Sequence, residues 1–412
     1  MLRIRRNIRL GRDEYRHDNP IARLKNMSLF ALGQRKMFRN VPVAILHLFI
    51  YLAFIITQIE LLEVIIDGTT GTCRAIYHFV VATWAQKIYV FTISLIEILS
   101  ALALLATIIF LIRRNIIHIT RFHKPELRGF PFKDGNYILF GEIWLISCIF
   151  LMNSADMASV NGAYGFAISK YTMTFIQNYS NASLHLLERI GWWGHLLGIL
   201  GFMVYLPFSK HLHIFLAFPN SYYGDINHQF KGSMKNMPAI TNEVRLMMDP
   251  NAILLSVDST HTKFGAADIT DLTWKNLLDA YSCTECGRCT AACPANQTGK
   301  LLSPRKIMMD TRDRIEEIAI LKDKNMDLVD GRSLLRDYIT EEELKACTTC
   351  NACVEECPVN INPLDIILQM RRHLVMEESN APTEWNSMFS NIENNMAPWK
   401  FNPAERANWI NS

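Results

Sequence analysis

The sequence is poor in charged residues, which make up only 20% of its 412 positions. Acidic and basic side chains nearly balance at a net charge of +3, so the total charge indicates no nucleic acid or other acidic polymer as a partner. The basic N-terminus has no apolar stretch directly behind it, so no cleavable signal peptide is expected. The glycines of GTTGTC lack the strand-turn-helix context of a dinucleotide site, and no nucleotide or flavin fingerprint is present.

The charge that remains is spread unevenly along the chain. Long apolar runs lie before about Phe218, whereas the later half is ordinary soluble sequence that contains eight clustered cysteines. We therefore predict a basic N-terminal segment at 1–40, a membrane anchor at 41–218, a linker at 219–250, a soluble domain at 251–378 and a polar C-terminal tail at 379–412.

Four apolar stretches come close to the roughly 20 residues that a membrane-spanning helix needs. They lie at 41–66, 88–112, 137–152 and 190–208, and the third is short enough that it must extend or tilt. A buried soluble helix is the alternative for any one stretch, but four together favour a multi-pass membrane anchor in contact with lipid. The predicted class is all-α.

Lysine and arginine predict the orientation of this anchor, because they accumulate in cytoplasmic loops. The first 40 residues hold eleven of them, and six more lie between the second and third spans. The other two loops hold two each. We therefore expect an inner (cytoplasmic) membrane protein whose N- and C-termini are both cytoplasmic.

Histidines inside such helices are costly unless they have a role. Because 18 residues make five turns or about 27 Å of helix, we expect His195 and His213 to share one face near opposite membrane surfaces. His211 would be rotated by about 160° from His195 and would face elsewhere. Because the first and fourth spans run antiparallel, His47 and His213 lie at similar depth, where two imidazoles can bind a b-type haem from opposite sides.

The number of haems stays open between one and two. His195 has no evident second ligand, and an interfacial histidine beside Trp192 and Trp193 is its alternative. The small residues Gly194, Gly198 and Gly201 either admit a porphyrin or allow close helix packing. Four carboxylates in or near the spans either carry protons released by a quinol or are hydrogen-bonded between helices: Glu60, Glu63, Glu97 and Glu142.

The cysteines form two runs of C-x2-C-x2-C-x3-C, each followed by proline. In this motif three cysteines bind one 4Fe-4S cluster while the distant fourth binds the other cluster. We assign one cluster to Cys283, Cys286, Cys289 and Cys357, and the second to Cys347, Cys350, Cys353 and Cys293.

Two alternatives to these clusters are weaker. Four thiolates also suit zinc, but zinc motifs rarely repeat this spacing, and a reducing cytoplasm disfavours a disulfide framework. Cys73 and Cys148 stand alone and are expected to be inert. The long segment between the runs contains amphipathic stretches at 304–321 and 341–345, which predicts an α-helical ferredoxin domain rather than a small β-type one.

The segments CTECGRCTAACPANQTGKLLSPRKI and CTTCNACVEECPVNINPLDIILQMRR resemble the small iron-sulfur subunit of heterodisulfide-reductase-like oxidoreductases. The segment WWGHLLGILGFMVYLPFSKHLHIFLAFPN is similar to the last helix of their cytochrome b anchor and of the respiratory nitrate reductase gamma subunit. Such anchors usually begin with one more helix and carry two histidines where this chain has His47.

The catalytic part of that family is built around adjacent cysteine pairs, and no Cys-Cys dipeptide occurs here. The resemblance therefore implies a separate cytoplasmic partner subunit with a cysteine-rich or flavin catalytic site. Our leading hypothesis is a respiratory subunit that passes electrons among the quinone pool, haem b, two 4Fe-4S clusters and that partner. A membrane redox sensor and a haem-free iron-sulfur relay are the alternatives.

Overall fold

The computed structural model describes residues 2–72, 74–160, 164–227, 237–254, 263–324, 326, 330–400 and 402–410. Within these ranges the chain forms helices and turns, and its β-structure is limited to two isolated bridges. This confirms the predicted all-α class. Cys73 and residues 228–236 of the predicted linker lie outside the described residues, and the predicted domain boundaries stay a prediction.

The helices of the first half are α1 (Leu2–Ile8), α2 (Pro20–Met27), α3 (Val41–Ile56), α4 (Gln58–Thr70), α5 (Ala75–Phe79), α6 (Thr83–Asn115), α7 (Phe130–Val160), α8 (Ser169–Thr172), α9 (Asn181–Tyr205) and α10 (His213–Tyr222). Among the described residues, four stretches are long and apolar enough to cross a membrane. They are Val41–Thr70, Thr83–Asn115, Phe130–Ser159 and Asn181–Phe208.

Each of these stretches is longer than its predicted span, and the third differs most. A helix in lipid must pair its own backbone groups, so it continues until water or a cap is available. Helix α7 starts at Phe130 rather than near Tyr137. Its second turn tolerates Asp134 because that carboxylate accepts hydrogen bonds from the Ser209 hydroxyl (2.7 Å) and the Lys210 backbone N–H (3.1 Å).

The fourth span does not continue to His213. Helix α9 ends at Tyr205, a 3-10 turn follows at Leu206–Phe208, and Ser209 is extended with ψ 151°. Pro207 has no backbone N–H and so cannot continue the helical hydrogen bonding. The prediction that His195 and His213 share one face of a continuous helix is therefore wrong.

The spans pack in the order α3, α6, α7 and α9, and the most extensive contact joins α7 to α9. A side-chain carbon added at Gly194 would overlap the Sγ atom of Cys148, and one at Gly198 would overlap Leu145. These two glycines therefore allow close helix packing, as small residues do in membranes. In the part of the chain that the structure describes, no atom would lie within 4 Å of a side-chain carbon added at Gly201.

The helices of the second half are α11 (Pro238–Met248), α12 (Trp274–Ser282), α13 (Arg288–Ala292), α14 (Pro294–Gln297), α15 (Pro304–Asp323), α16 (Leu334–Asp337), α17 (Glu341–Lys345), α18 (Ala352–Glu356), α19 (Pro363–Arg372) and α20 (Thr383–Asn395). Helices α12, α15 and α19 share a core whose central residues include the fully buried Leu277, Ile307 and Ile366. Helix α20 falls in the predicted polar tail.

The N-terminal segment packs onto this soluble domain. The Asn7 side chain donates a hydrogen bond to the Tyr281 hydroxyl (2.9 Å). The Arg12 backbone pairs with Leu272 (2.7 Å) and Trp274 (2.9 Å). Residues predicted to be a separate basic segment are thus part of the surface that holds α12.

The soluble domain sits at one end of the helix bundle. It contacts the segment before α3 through Lys36, the segment after α6 through Arg121, the segment before α7 through Glu126, and the segment after α9 through Lys210. These four positions are on the same side of antiparallel spans. The loop that contains Arg74 is at the opposite end.

Candidate iron-sulfur and histidine sites

Four cysteines from both runs line a single cavity. Cys283 directly follows α12, and Cys357 directly follows α18. Together with Cys286 and Cys289 they form the cavity wall, which Met308 helps to complete. The structure therefore brings together the set that the sequence assigns to one cluster.

The remaining cysteines of the runs form a second group. Cys353 lies within electrostatic reach of Cys347, Cys293 and Cys350. Cys347 in turn interacts with Cys293 and Cys350. Cys293, the last cysteine of the first run, is therefore beside the second run, which is the crossed arrangement that the motif predicts.

The two runs adopt the same local backbone. Glu285 and Gly287 have positive φ of 53° and 71°, and the equivalent residues of the second run, Thr349 and Asn351, have φ of 55° and 62°. Left-handed backbone at both positions turns each loop around its cysteines. Helices α13 and α18, which follow these loops, pack against each other, so the two groups are neighbours.

Several observations fit 4Fe-4S clusters better than zinc. Among the described residues, no three His, Cys, Asp or Glu side chains converge on a single-ion site, whereas zinc needs its thiolate ligands about 2.3 Å from one ion. The backbone N–H of Thr349 donates to Sγ of Cys347 (3.4 Å), and that of Ile361 donates to Sγ of Cys357 (3.3 Å). Such donors stabilise cluster-bound thiolates.

Burial determines the protonation state of these thiols when no metal is bound. Desolvation raises the pKa of the Cys283 thiol to about 12 and that of the Cys357 thiol to about 11. Without a metal, both side chains would therefore be neutral thiols at physiological pH. Iron binding is what converts such buried thiols to thiolates.

A buried ion pair ties the first cysteine loop to the anchor. The carboxylate of Glu285 accepts hydrogen bonds from Nζ of Lys210 (2.7 Å) and from Arg312 (2.6 Å). Both cations hold the pKa of Glu285 below its usual value against the opposing effect of burial. Because Glu285 stands between Cys283 and Cys286, this ion pair fixes the cluster loop to the end of the fourth span. Sequence reasoning missed it, since no motif marks either partner.

The candidate haem ligands His47 and His213 are near each other. Nδ1 of His47 lies 3.0 Å from Oε1 of Gln34, and Nδ1 of His213 lies 3.1 Å from the carbonyl oxygen of Lys210. Desolvation, followed by the neighbouring His213 and His47, lowers the pKa of His211 to about 3. The imidazoles of His47, His211 and His213 are thus close enough to interact electrostatically. The sequence predicts that His211 faces elsewhere, but the break after α9 places it beside the other two.

These contacts fit the needs of a haem ligand. An imidazole that binds iron through one nitrogen usually donates a hydrogen bond from its other nitrogen to an oxygen atom, which orients the ring. In His47 and His213 the oxygen partner lies next to Nδ1, so Nε2 is the nitrogen that could bind iron. His195 has the same feature, because its Nδ1 lies 3.1 Å from the Leu145 carbonyl oxygen and its side chain is buried in α9.

A second tether joins the histidines to the cysteine loops. Gln34, the partner of His47, is followed two residues later by Lys36, whose Nζ donates to the Val354 carbonyl (3.1 Å). Arg39 forms ion pairs with Glu355 and Glu356. One short segment therefore contacts both a candidate haem ligand and α18, next to Cys353 and Cys357.

Comparison with known proteins agrees with the cysteine site. Residues 282–361 match the family model described as a 4Fe-4S dicluster domain. The chain is also similar to a probable iron-sulfur-binding oxidoreductase, FadF, of Bacillus subtilis (strain 168), with 27% identity over 98% of this chain and 57% of that protein. It is 26% identical to the EtfAB:quinone oxidoreductase of Syntrophomonas wolfei, over 96% of this chain and 55% of the relative.

A shorter similarity involves one subunit of the ferredoxin/F(420)H(2)-dependent CoB-CoM heterodisulfide reductase of Methanosarcina acetivorans, with 40% identity over 24% of this chain and 49% of the relative. No solved structure matches the chain. The chain spans little more than half the length of the first two relatives. Its relatives are thus iron-sulfur oxidoreductases that include heterodisulfide reductase subunits, and the chain itself carries a 4Fe-4S dicluster domain.

Proposed function

We propose that the chain is the membrane electron-transfer part of an iron-sulfur oxidoreductase, in which haem b and two 4Fe-4S clusters connect the quinone pool to a cytoplasmic partner subunit. The observation that carries the proposal is the Lys210 junction. Its ammonium group holds Glu285 of the first cysteine loop, while its carbonyl oxygen lies 3.1 Å from Nδ1 of His213. One residue therefore couples the positions of the two candidate redox sites.

The two cysteine groups would hold the clusters, and Nε2 of His47 and His213 would hold a haem iron. Bound in this way, these groups supply one-electron redox chemistry. The chain's own contribution is to fix and shield them. Buried Arg305 joins the first cysteine loop to the segment between α6 and α7. It donates to the Glu285 carbonyl (3.5 Å), to the Arg121 carbonyl (2.8 Å) and to Glu126 (2.8 Å). His195 is our candidate ligand for a second haem.

A quinone is the proposed membrane substrate. The four apolar spans give access to lipid-soluble molecules, and the name of the Syntrophomonas relative joins EtfAB to a quinone. The heterodisulfide reductase relative is named as one subunit of a larger enzyme, which supports a separate catalytic partner. The substrate chemistry then lies on that partner, because this chain lacks adjacent cysteine pairs.

We place the soluble domain in the cytoplasm. The arginine- and lysine-rich segments before α3 and between α6 and α7 lie at the same end of the bundle as this domain. Basic segments of this kind stay on the cytoplasmic side of the inner membrane. Both termini are then cytoplasmic.

The first experiment is an optical spectrum of the purified chain, recorded oxidised and again after addition of a menaquinol analogue, with haem quantified per polypeptide. We expect a reduced b-type band with quinol. His47→Ala is expected to abolish the band of the haem nearest the soluble domain, because one axial ligand is lost. His118→Ala is the matched control, since His118 stacks on His123 in the loop after α6 and contacts neither His47 nor His213.

Each outcome has a definite meaning. A normal haem band in His47→Ala contradicts the ligand assignment, and a haem that quinol does not reduce contradicts the quinone link. A chain that contains iron-sulfur clusters but no haem supports the haem-free relay instead. Haem content per chain decides between one haem and two.

A further inference from the structure

A buried polar cluster lies in the bundle at the end far from the soluble domain. At its centre Arg74, which is 2% exposed, contacts Glu63 (3.0 Å) and Glu60 (3.4 Å) through Nη1. Its Nη2 donates to the Asn153 side chain (2.5 Å). The guanidinium also lies over the ring of Phe166, 4.9 Å from its centroid. A loop arginine is thus the counter-ion of carboxylates on the first span.

Two neighbouring carboxylates are fully occupied by donors. Glu97 accepts from the Asn153 amide (3.1 Å), from the Ser169 hydroxyl (2.5 Å) and from two backbone N–H groups, of Ile168 (2.7 Å) and Ser169 (3.1 Å). Asp67 accepts from the backbone N–H groups of Arg74 (2.9 Å) and Ala75 (2.7 Å). These bonds give every oxygen of both carboxylates at least one donor and hold the loops in place.

Glu60 and Glu63 are different, because each has one oxygen without a donor. Oε1 of Glu60 accepts from Asn153 (3.1 Å), and Oε2 of Glu63 accepts from the Tyr89 hydroxyl (2.5 Å). Their other oxygens, Oε2 of Glu60 and Oε1 of Glu63, are buried without a hydrogen-bond partner among the described residues. Both residues are 1% exposed. A buried carboxylate oxygen without a donor is unfavourable as an anion but suits a carboxylic acid.

The charge count leads to the same conclusion. The titratable and charged groups that face Glu60 and Glu63 are Arg74, Tyr89, Glu97, Asp67 and Asp156. Arg74 is the single cation in this set. One guanidinium cannot balance several carboxylates in a low-dielectric interior, so the cluster is most stable when a carboxyl group without full donors holds a proton.

A line of acidic groups leads from this cluster toward the surface. Asp156 lies 3.9 Å from Nε of Arg74, and its side chain is 13% exposed. It interacts electrostatically with Glu188 on α9. Glu188 lies beside His185 (3.6 Å), whose side chain is 74% exposed, and it accepts two hydrogen bonds from the Arg189 guanidinium (2.5 and 2.6 Å). Arg189 also interacts electrostatically with Asp156. Titratable groups therefore continue from the buried pair to the membrane face opposite the soluble domain.

We propose that Glu60 and Glu63 form a proton-holding site that exchanges its proton with this opposite face through Asp156 and Glu188. Arg74 is a positioning residue that keeps the rest of the cluster ionised. When a hydroquinone is oxidised to the quinone, both of its O–H bonds break. One proton goes to the carboxylate of the pair that is still ionised, the other leaves through Asp156 and Glu188 to the opposite face, and the two electrons pass one at a time to the redox groups of the protein. This last step rests on the proposed function, whereas the presence of the buried proton does not.

The experiment is infrared spectroscopy of the full purified chain in H2O and D2O, with protonated carboxyl groups followed by their C=O stretch. We expect wild type to show a signal that shifts in D2O and is missing from the Glu60→Gln/Glu63→Gln double variant. Glu97→Gln is the matched control from the same cluster, and it should lose carboxylate bands but keep this signal. A double variant that loses only carboxylate bands would overturn the proposal.

A second measurement covers the case in which the double variant does not accumulate. Glu142 is another carboxylate in the spans with few donors, since its side chain accepts from a single hydroxyl, that of Thr107 (3.1 Å). Glu142→Gln labelled with 13C-glutamate should retain a glutamic acid signal, because Glu60 and Glu63 hold it. Loss of every such signal would contradict the inference.

Adding a menaquinol analogue to the same samples separates the two proposals. A change in the signal that accompanies haem reduction supports proton transfer from hydroquinone to the pair. If the haem is reduced while the signal stays constant, the pair is not the acceptor. If the signal is present but quinol reduces nothing, the proposed function fails while the buried proton stands.

Discussion

The crossed cysteine arrangement makes a quantitative prediction about iron content. Each cysteine group of the structure would hold one 4Fe-4S cluster, so wild type should contain about eight non-haem irons per chain. Cys357→Ala should lose about four, because Cys357 shares a cavity with Cys286. Cys286→Ala should also lose about four, and the double variant should lose no more than either single one, since both changes destroy the same site.

A second pair of changes gives the opposite result. Cys350 belongs to the other group, so Cys350→Ala combined with Cys357→Ala should leave a chain with almost no non-haem iron, although both residues come from one sequence run. Analysis of non-haem iron in the purified protein, with Cys148→Ala as a control from α7, measures all of these values. If the Cys286 and Cys357 double variant lost all iron while the Cys350 and Cys357 variant kept about four, each run would bind its own cluster and the shared cavity would not be a cluster site.

Two further predictions concern stability. Desolvation lowers the pKa of Lys36 to about 8 from 10.5, so between these pH values the unfolded chain binds the extra proton and the free energy of unfolding rises with pH. Denaturant titrations from about pH 8 to 9.5 should show a rise of about 2 kcal/mol that is absent in Lys36→Met but kept in Lys300→Met. Arg314, with no exposed side-chain surface, pairs with Asp268 (2.8 Å), and Arg314→Met should cost about 3–5 kcal/mol in thermal unfolding. Changing the half-exposed Arg332 to Met should cost less than about 1 kcal/mol. Equal losses of stability in the Arg314 and Arg332 variants would contradict the role given to burial.

The membrane helices and the cysteine groups could be predicted because their signals are local. Apolar length reports spanning helices directly, and the repeated cysteine spacing fixes which thiols approach each other. The helix ends were less predictable. In the sequence, the charged Asp134 lies just before the apolar run of the third span and so outside the predicted helix. In the structure it lies inside α7, where its carboxylate accepts hydrogen bonds from Ser209 and Lys210 of another segment.

Contacts between distant residues could not be predicted. The helical break after α9 depends on Pro207, and an average of hydropathy along the sequence does not detect a break of this kind. Arg74 appears in the sequence as an ordinary loop residue between two spans, yet it is buried against Glu60 and Glu63. Nothing near Lys210 or Glu285 indicates that they pair, because the partner of each is fixed only by the packing of the two domains.

The attachment of the N-terminal segment has a consequence for biogenesis. Asn7 and Arg12 leave the ribosome before the four spans, but their partners Tyr281 and Leu272 follow the whole anchor in the chain. During synthesis this segment stays without these partners while the four spans enter the membrane, since contacts between residues far apart in the sequence form late. It then closes over α12, next to Cys283. A bulky fusion placed at the N-terminus would therefore interfere with maturation of the cluster domain rather than with membrane insertion.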